Sequence, residues 1–355
     1  MKIQILHRYT AAVLFEHDCE NNSMRLTLEL AVKNRVSLRG SDLRGSNLRG
    51  SNLRGSNLSD SNLSGSNLRG SDLSDSNLRG SNLRGSDLSG SDLSGSNLRG
   101  SNLSGSDLSD SDLSDSDLSG SNLSGSDLRD SNLSDSDLSD SDLSGSNLSG
   151  STLSGSNLRG STLSGSNLRG STLSGSDLRG SNLSDSDLSG SNLRGSDLSD
   201  SNLRGSNLRG SDLSDSDLSD SNLSGSTLSG STLRGSTLSG STLSDSDLSG
   251  VPKIPNIHQA VYAAASQPCT LDMSTWHNEC GTAHCRAGWI VTLAGDGGKA
   301  LEWAMGTSTA ATLIYLASDP ERFNKERLPD FYCGNDEALE DMKRMSEEEF
   351  NAQGA

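Results

Sequence analysis

An all-β solenoid is the fold class this chain predicts, flanked by a small α/β head and a helical tail. Three observations predict it. Forty-three consecutive five-residue units run from Val36 to Gly250, and each has leucine at its middle position, from Leu38 to Leu248. The unit reads Ser–(Asn/Asp/Thr)–Leu–(Arg/Ser)–(Gly/Asp), a period that is neither helical nor that of a flat strand. Only 30% of the 355 residues are hydrophobic and 3% aromatic, too few for a globular core of this size. A strict short period in an apolar-poor chain describes a stack of near-identical turns. Composition alone would also fit a disordered chain, but low-complexity linkers do not hold a large apolar residue in unbroken register.

Residues 1–35 form a non-repetitive cap. Lys2–Leu6 and Ala11–Glu16 read as short strands around a polar turn, and Ser23 as the cap of a helix reaching about Asn34. Over that helix two patterns compete. Leu26, Leu28 and Leu30 alternate as in a strand, whereas Met24, Leu28, Ala31 and Val32 follow a helical face.

Residues 36–250 are the rod. In a unit such as Ser41-Asp42-Leu43-Arg44-Gly45, alternation on an extended backbone turns Leu43 and Ser41 inward and Asp42 and Arg44 outward. Gly45 lets the chain turn a corner. Repeated corners close the chain on itself, and stacked coils pair their backbones at ~4.8 Å. Leu43, Leu48, Leu123 and Leu248 stand for the core leucines along its whole length.

This pattern resembles the pentapeptide-repeat family, whose consensus is Ala–(Asp/Asn)–Leu–X–X, and the resemblance covers all 215 repeat residues. It implies a right-handed four-sided β-helix with four units per coil, hence about 10–11 coils here. The chain departs from the family at the small inward position, which is serine in 42 of the 43 units. A hydroxyl beside the core must find an acceptor or cost about 1–3 kcal/mol, so a ladder of serine-to-backbone bonds is expected. Such uniformity points to recent amplification of one unit or to design.

Leucine burial alone does not offset the entropy of ordering so many residues. Bonds between coils must supply the rest, so the open ends need covers, and the head and tail are expected to be caps.

Residues 251–355 have a different composition and hold all three tryptophans. Helices are expected over Asn256–Ser266, Thr282–Ala294, Lys299–Met305, Thr307–Ser318 and Glu337–Glu349, separated by Pro320, Pro329 and the glycines around Gly295–Gly298. The densest chemistry is Trp276–Cys285. There His277, Cys280, His284 and Cys285 are candidate zinc ligands, although their spacing matches no standard finger. A cysteine nucleophile at Cys280 or Cys285 would need an orienting third group, and none is evident. The competing reading is a packed helical core around Cys285, Gly288, Trp289 and Thr292. The tail could also dimerise through Trp303, Leu313, Ile314, Tyr315 and Leu316, or bury them inside a monomeric cap.

Charge narrows the function. The net charge is −18, and the repeats carry 28 Asp against 16 Arg. Such a surface disfavours direct nucleic-acid and membrane binding and favours a protein partner with a basic surface. The first coil carries Arg39, Arg44, Arg49 and Arg54, a weakly basic collar. Residues 106–145 form an acidic belt of Asp107, Asp110, Asp112, Asp115, Asp117, Asp127, Asp130, Asp135, Asp137, Asp140 and Asp142, with Arg129 as the one cation.

The leading functional reading is a non-enzymatic acidic rod that serves as scaffold or protein-binding surface. The resemblance implies an alternative, because some pentapeptide-repeat proteins mimic DNA and bind type II topoisomerases. This rod lacks an inserted loop and has no phenylalanine at its central position. An enzyme is disfavoured because the repeats contain no histidine, lysine, cysteine or glutamate, and no cofactor is called for. Ice binding would need a threonine array, yet Thr152, Thr162, Thr172, Thr227, Thr232, Thr237 and Thr242 spread over all sides of a four-unit coil. Five cysteines without a framework, no signal-like N-terminus and no membrane-length apolar run lead to the expectation of a cytoplasmic protein.

Overall fold

The computed structural model describes residues 1–229, 231–233, 236, 238, 241, 251–274, 284–323, 329–331 and 333–353. Its centre is a right-handed four-sided β-helix. Parallel bridges join residues 20 positions apart, from Asp42↔Asn62 to Asp212↔Thr232, so four units make one coil. The 43 units therefore make between ten and eleven coils.

One unit accounts for the consensus. In Ser106–Asp110, the Ser106 N–H closes the preceding corner on Leu103 O at 3.0 Å. Asp107 N–H donates back to Ser86 O at 3.0 Å, and Leu108 and Asp110 N–H donate forward to Asp127 O at 2.7 Å and Arg129 O at 2.9 Å. The fourth amide, Ser109 N–H, has no backbone acceptor; it donates to Asp107 Oδ1 at 3.0 Å. Every amide is paired, as backbone out of water requires. The second position is Asn or Asp because its side-chain oxygen captures that fourth amide. No threonine unit makes this bond among the described residues. The fifth position lies in the left-handed region, at φ +60° for Gly45 and +58° for Asp60. Glycine adopts it freely and aspartate tolerates it, hence Gly/Asp there.

Leucines fill the interior: Leu43, Leu48 and Leu123 are buried, and Leu248 lies outside the described residues. The serine ladder is present in two forms. Ser111 Oγ donates to Leu88 O of the preceding coil at 2.9 Å, whereas Ser141 Oγ donates to Leu138 O of the preceding unit at 2.5 Å. Among the described residues, five hydroxyls, those of Ser56, Ser66, Ser81, Ser181 and Ser226, are buried without a hydrogen bond.

The head consists of strands β1 (Lys2–His7) and β2 (Val13–Asp18) and helix α1 (Met24–Lys33). Ser23 caps α1 by accepting Leu26 N–H, and Leu28 and Ala31 are buried, so the helical pattern prevails over the alternating one. The sheet order is β2-β1-β3, where β3 (Ser41–Asp42) is the first edge of the rod. Pairing of β1 with β3 covers one exposed side of the first coil. Glu29 Oε1 accepts the Asn52 N–H at 3.0 Å, replacing the coil that would otherwise precede it. Arg25 likewise donates to Arg49 O at 3.1 Å.

The tail comprises α2 (Ile257–Ala265), α3 (Arg286–Leu293), α4 (Gly295–Met305), α5 (Thr307–Ser318), α6 (Pro320–Phe323) and α7 (Asn335–Gln353). Several expected boundaries move: β2 runs over Val13–Asp18 rather than Ala11–Glu16, α7 extends past Glu337–Glu349 to Asn335–Gln353, and two helices start late or early. Helix α4 begins at Gly295, not Lys299, because glycines read as separators lie inside it. A Cβ on Gly298 would meet Ala294 Cβ at 2.7 Å, so glycine permits the tight α3–α4 corner. Helix α3 begins at Arg286, because His284 is held in a bridge with Leu271 and Cys285 is the N-cap. The expected start at Thr282 lies outside the described residues. Thr309 Oγ1 donates to Ser236 O at 3.1 Å, joining α5 to the last described coils. One apolar cluster runs continuously from Ile5 through the rod leucines to Met345.

Candidate protein-binding surface

The 20-residue register places each outward side chain directly over its counterpart in the next coil. At the second position Asp87, Asp107 and Asp127 form one ladder. Asp72, Asp92 and Asp112 form the ladder on the next side, and Asp117 and Asp137 continue onto the third. The fourth side carries Asn102 and Asn122 before Asp142. Corner aspartates Asp110 and Asp130 lie between the first and second sides, Asp115 and Asp135 between the second and third, and Asp140 at the next corner. Within the belt, two opposite sides carry aspartate in both coils, Asp107/Asp127 and Asp117/Asp137, and the two sides between them carry one aspartate and one asparagine each, Asp112/Asn132 and Asn122/Asp142.

Its second-position carboxylates are held in place. Asp107, Asp112 and Asp117 each accept the backbone N–H and the hydroxyl of the serine two residues on, at 3.0 Å and 2.6–2.7 Å. Asn132 Nδ2 donates to Asp112 Oδ1 at 3.2 Å, and Asn157 Nδ2 to Asp137 Oδ1 at 3.1 Å, so asparagine closes two ladders. Arg129 spans both oxygens of Asp127, with Nη2 2.6 Å from Oδ2. Its hydrogen bond holds the Asp127 carboxyl below the usual carboxylate range, and Asp127 in turn raises the Arg129 pKa. The belt spans two coils, ~10 Å of axis at the inter-strand spacing, and carries a net charge of −10. That is about one charge per ~1 Å, against ~1.7 Å per charge in duplex DNA.

The collar of the first coil is largely neutralised. Arg39 pairs with Asp60 at 3.0 Å, Arg44 with Asp42 at 2.7 Å and Arg54 with Asp75 at 3.0 Å. Of the threonines, Thr152 and Thr172 stack, while Thr162, Thr227 and Thr232 sit against Asp, Asn or Asp neighbours. Thr237 and Thr242 lie outside the described residues.

In the tail, His277 and Cys280 lie outside the described residues, and His284 and Cys285 have structural partners. The His284 ring meets Trp289 edge-on, with centroids 4.6 Å apart. Cys285 Sγ accepts Gly288 N–H at 3.3 Å as the cap of α3. Burial pushes its thiol pKa up, which opposes formation of a nucleophilic thiolate. Leu313, Ile314, Tyr315 and Leu316 are buried inside the tail, so they are interior residues and not dimer contacts. Trp303 is 84% exposed.

Sequence reading missed the polar centre of this domain. Arg286 is 1% exposed, and its Nη1 lies 2.5 Å from Asp341 Oδ2. Its Nε donates to Tyr315 Oη at 3.0 Å, and Nη2 lies 2.8 Å from Met345 Sδ. Burial acts to raise the Asp341 pKa, but hydrogen bonds from Arg286 and Arg344 outweigh it and lower it overall. No sequence period marks Arg286, because its partners come from α5 and α7.

A quadrilateral β-helix closed by a strand–helix head and a helical tail is thus the class of molecule. Models of the pentapeptide repeats match residues 34–70, 71–110, 111–150, 146–185, 181–220 and 216–251, and the chain belongs to the pentapeptide repeat family. Among solved structures it is similar to HetL, a pentapeptide repeat protein involved in heterocyst differentiation regulation from the cyanobacterium Nostoc sp. strain PCC 7120. That likeness has 30% identity and a TM-score of 0.35, over 59% of this chain and 89% of HetL. A trypsin-treated form of QnrB1, a plasmid-mediated fluoroquinolone resistance protein, shows 22% identity and a TM-score of 0.36, over 46% of this chain and 90% of its own. A pentapeptide repeat protein of the Arabidopsis thaliana thylakoid lumen shows 30% identity and a TM-score of 0.17, over 35% and 74%. No curated protein sequence matches the chain. Among the described residues no helix is long and apolar enough to cross a membrane.

Proposed function

We propose that the protein is a non-enzymatic acidic rod whose belt at residues 106–145 is a binding surface for a partner protein with a basic face. The observation that carries the reading is the stacking of Asp107 over Asp127 and Asp117 over Asp137 in one register, each fixed by hydrogen bonds within its own unit. Like charges directly opposite one another destabilise a sheet. A rod built only as a spacer has no use for them, whereas a basic partner would relieve the repulsion on binding. Capture from a lysate tests this with the parent chain beside a variant carrying Asp→Asn at all eleven belt positions. Basic proteins retained by the parent and lost by the variant are the expected result; identical captures would leave only a scaffold role.

A second reading sharpens the first: the belt mimics DNA and occupies the cleft of a type II topoisomerase or another DNA-binding protein. Its axial charge density, at or above that of the duplex, favours it. Resemblance to family members that bind topoisomerases points the same way. Inhibition of supercoiling by the parent and not by the belt-neutralised variant is then expected.

A further inference from the structure

A polar cluster in the tail lies away from both the belt and the Arg286 centre. His258 stands at the start of α2, Asp319 follows α5, and Glu349 lies near the end of α7. One ligand atom from each lies within 4.8 Å of the other two. His258 is 1% exposed, and its ring is stacked on Tyr315 with centroids 5.5 Å apart, which fixes the imidazole. Its Nε2 is 2.9 Å from Asp319 Oδ2. Glu349 Oε2 accepts the Gln259 N–H at 2.8 Å.

We propose that His258, Asp319 and Glu349 form a divalent-cation site that staples α2, the end of α5 and α7 together. One imidazole and two carboxylates are a set that zinc accepts, with ligands at ~2.0–2.2 Å and therefore ~3.3 Å from one another. The His258–Asp319 separation is already close to that value. Glu349 must close by roughly 1.5 Å, which a rotamer change of a half-buried side chain supplies. Water completes the coordination from the side where Asp319 and Glu349 meet solvent. The metal takes the place of the proton between His258 Nε2 and Asp319 Oδ2, leaving the neutral ring protonated at Nδ1. Arg322 competes, with Nε 3.4 Å from Asp319 Oδ2, but its Nη1 is held by Glu348 at 2.7 Å. Even with Arg344 counted on Glu348, the three carboxylates leave the cluster net negative.

The test uses the full chain stripped with a chelator, titrated with Zn²⁺ and separately with Co²⁺. Expected are one equivalent bound, a Co²⁺ spectrum without a thiolate charge-transfer band, and a Zn²⁺-dependent rise in the melting temperature of the tail. His258→Ala and Glu349→Gln should each weaken binding by about tenfold or more, at the scale of perturbing a metal's ligand shell. If His258→Ala unfolds the tail, Glu349→Gln on the more exposed ligand decides the question. No binding of either metal, unchanged affinity in Glu349→Gln, or a thiolate band placing the ion on the cysteines would each overturn the proposal.

Discussion

Rod and tail bury leucine-sized side chains equally well, yet they specify structure in opposite ways. In the rod each position has one task, repeated in every coil: Asn or Asp captures an amide, leucine fills the core, and Gly or Asp turns the corner. The rule is local, so a five-residue sentence of sequence states it. In the tail the decisive contacts join residues far apart, as when Arg286 of α3 meets Tyr315 of α5 and Asp341 of α7. The rod is tolerant because its errors are confined to neighbouring coils. The tail is not, because one side chain holds three helices.

The comparison can be broken first at Arg286. Arg286→Ala leaves Asp341 without its main partner and removes packing under Tyr315. The loss should be about 3 kcal/mol, the low end for a broken buried pair because Asp341 is one-third exposed. All three tryptophans lie in the tail, so fluorescence follows it, whereas far-UV circular dichroism combines the rod with the helices of head and tail. A fluorescence-detected transition at lower temperature than in the parent is the expected outcome.

Acid should separate the two regions next. The Asp341 pKa is lowered in the folded tail, so its contribution is fully present above the ordinary carboxylate pKa of about 3.9 and is lost as pH falls through the lower folded value. The fluorescence-detected melting temperature should therefore fall as the pH drops below about 4. Within the rod, Gly160→Ala should cost about 1–3 kcal/mol. Gly160 has φ +67°, and a Cβ there would meet Asp140 Oδ1 at 2.7 Å. Denaturant titration by circular dichroism reads that loss.

Smaller effects probe the consensus itself. Ser111→Ala removes a bond to Leu88 O and should cost about 1 kcal/mol, whereas Ser181→Ala removes a buried hydroxyl without a partner and should be neutral or stabilising. Equal effects of the two would show that the ladder contributes nothing. Thr152→Asn restores the side-chain acceptor for the Ser154 amide and should stabilise by about 0.5 kcal/mol, measured as a shift in denaturant midpoint at constant slope.

Much of the rod was legible because its rules act within one coil. The inward leucines, the corner residues and the need for serine acceptors all follow from alternation and turn chemistry. The reason for Asn or Asp at the second position was not legible, because it depends on which amide the coil-to-coil pairing leaves over. The belt could be counted in the sequence, but its stacking into aspartate ladders on two opposite sides needed the 20-residue register. In the tail five helices were found; α6 was missed because Pro320, read as a separator, opens it, and α4 was misjudged because Gly297 and Gly298 serve packing and not a break. Neither Arg286 nor the His258–Asp319–Glu349 cluster has a sequence signature, since each is assembled from three separate helices or their ends.

Charge held rigid by the rod, and able to bind a basic surface, is the central claim. Displacement tests it most directly: labelled duplex DNA is bound to a purified bacterial type II topoisomerase and titrated with the full chain or with the belt-neutralised variant. Release of DNA by the parent, weakened by added salt and absent for the variant, is the predicted result. Equal release by both proteins, or none from the parent at large excess, would contradict it.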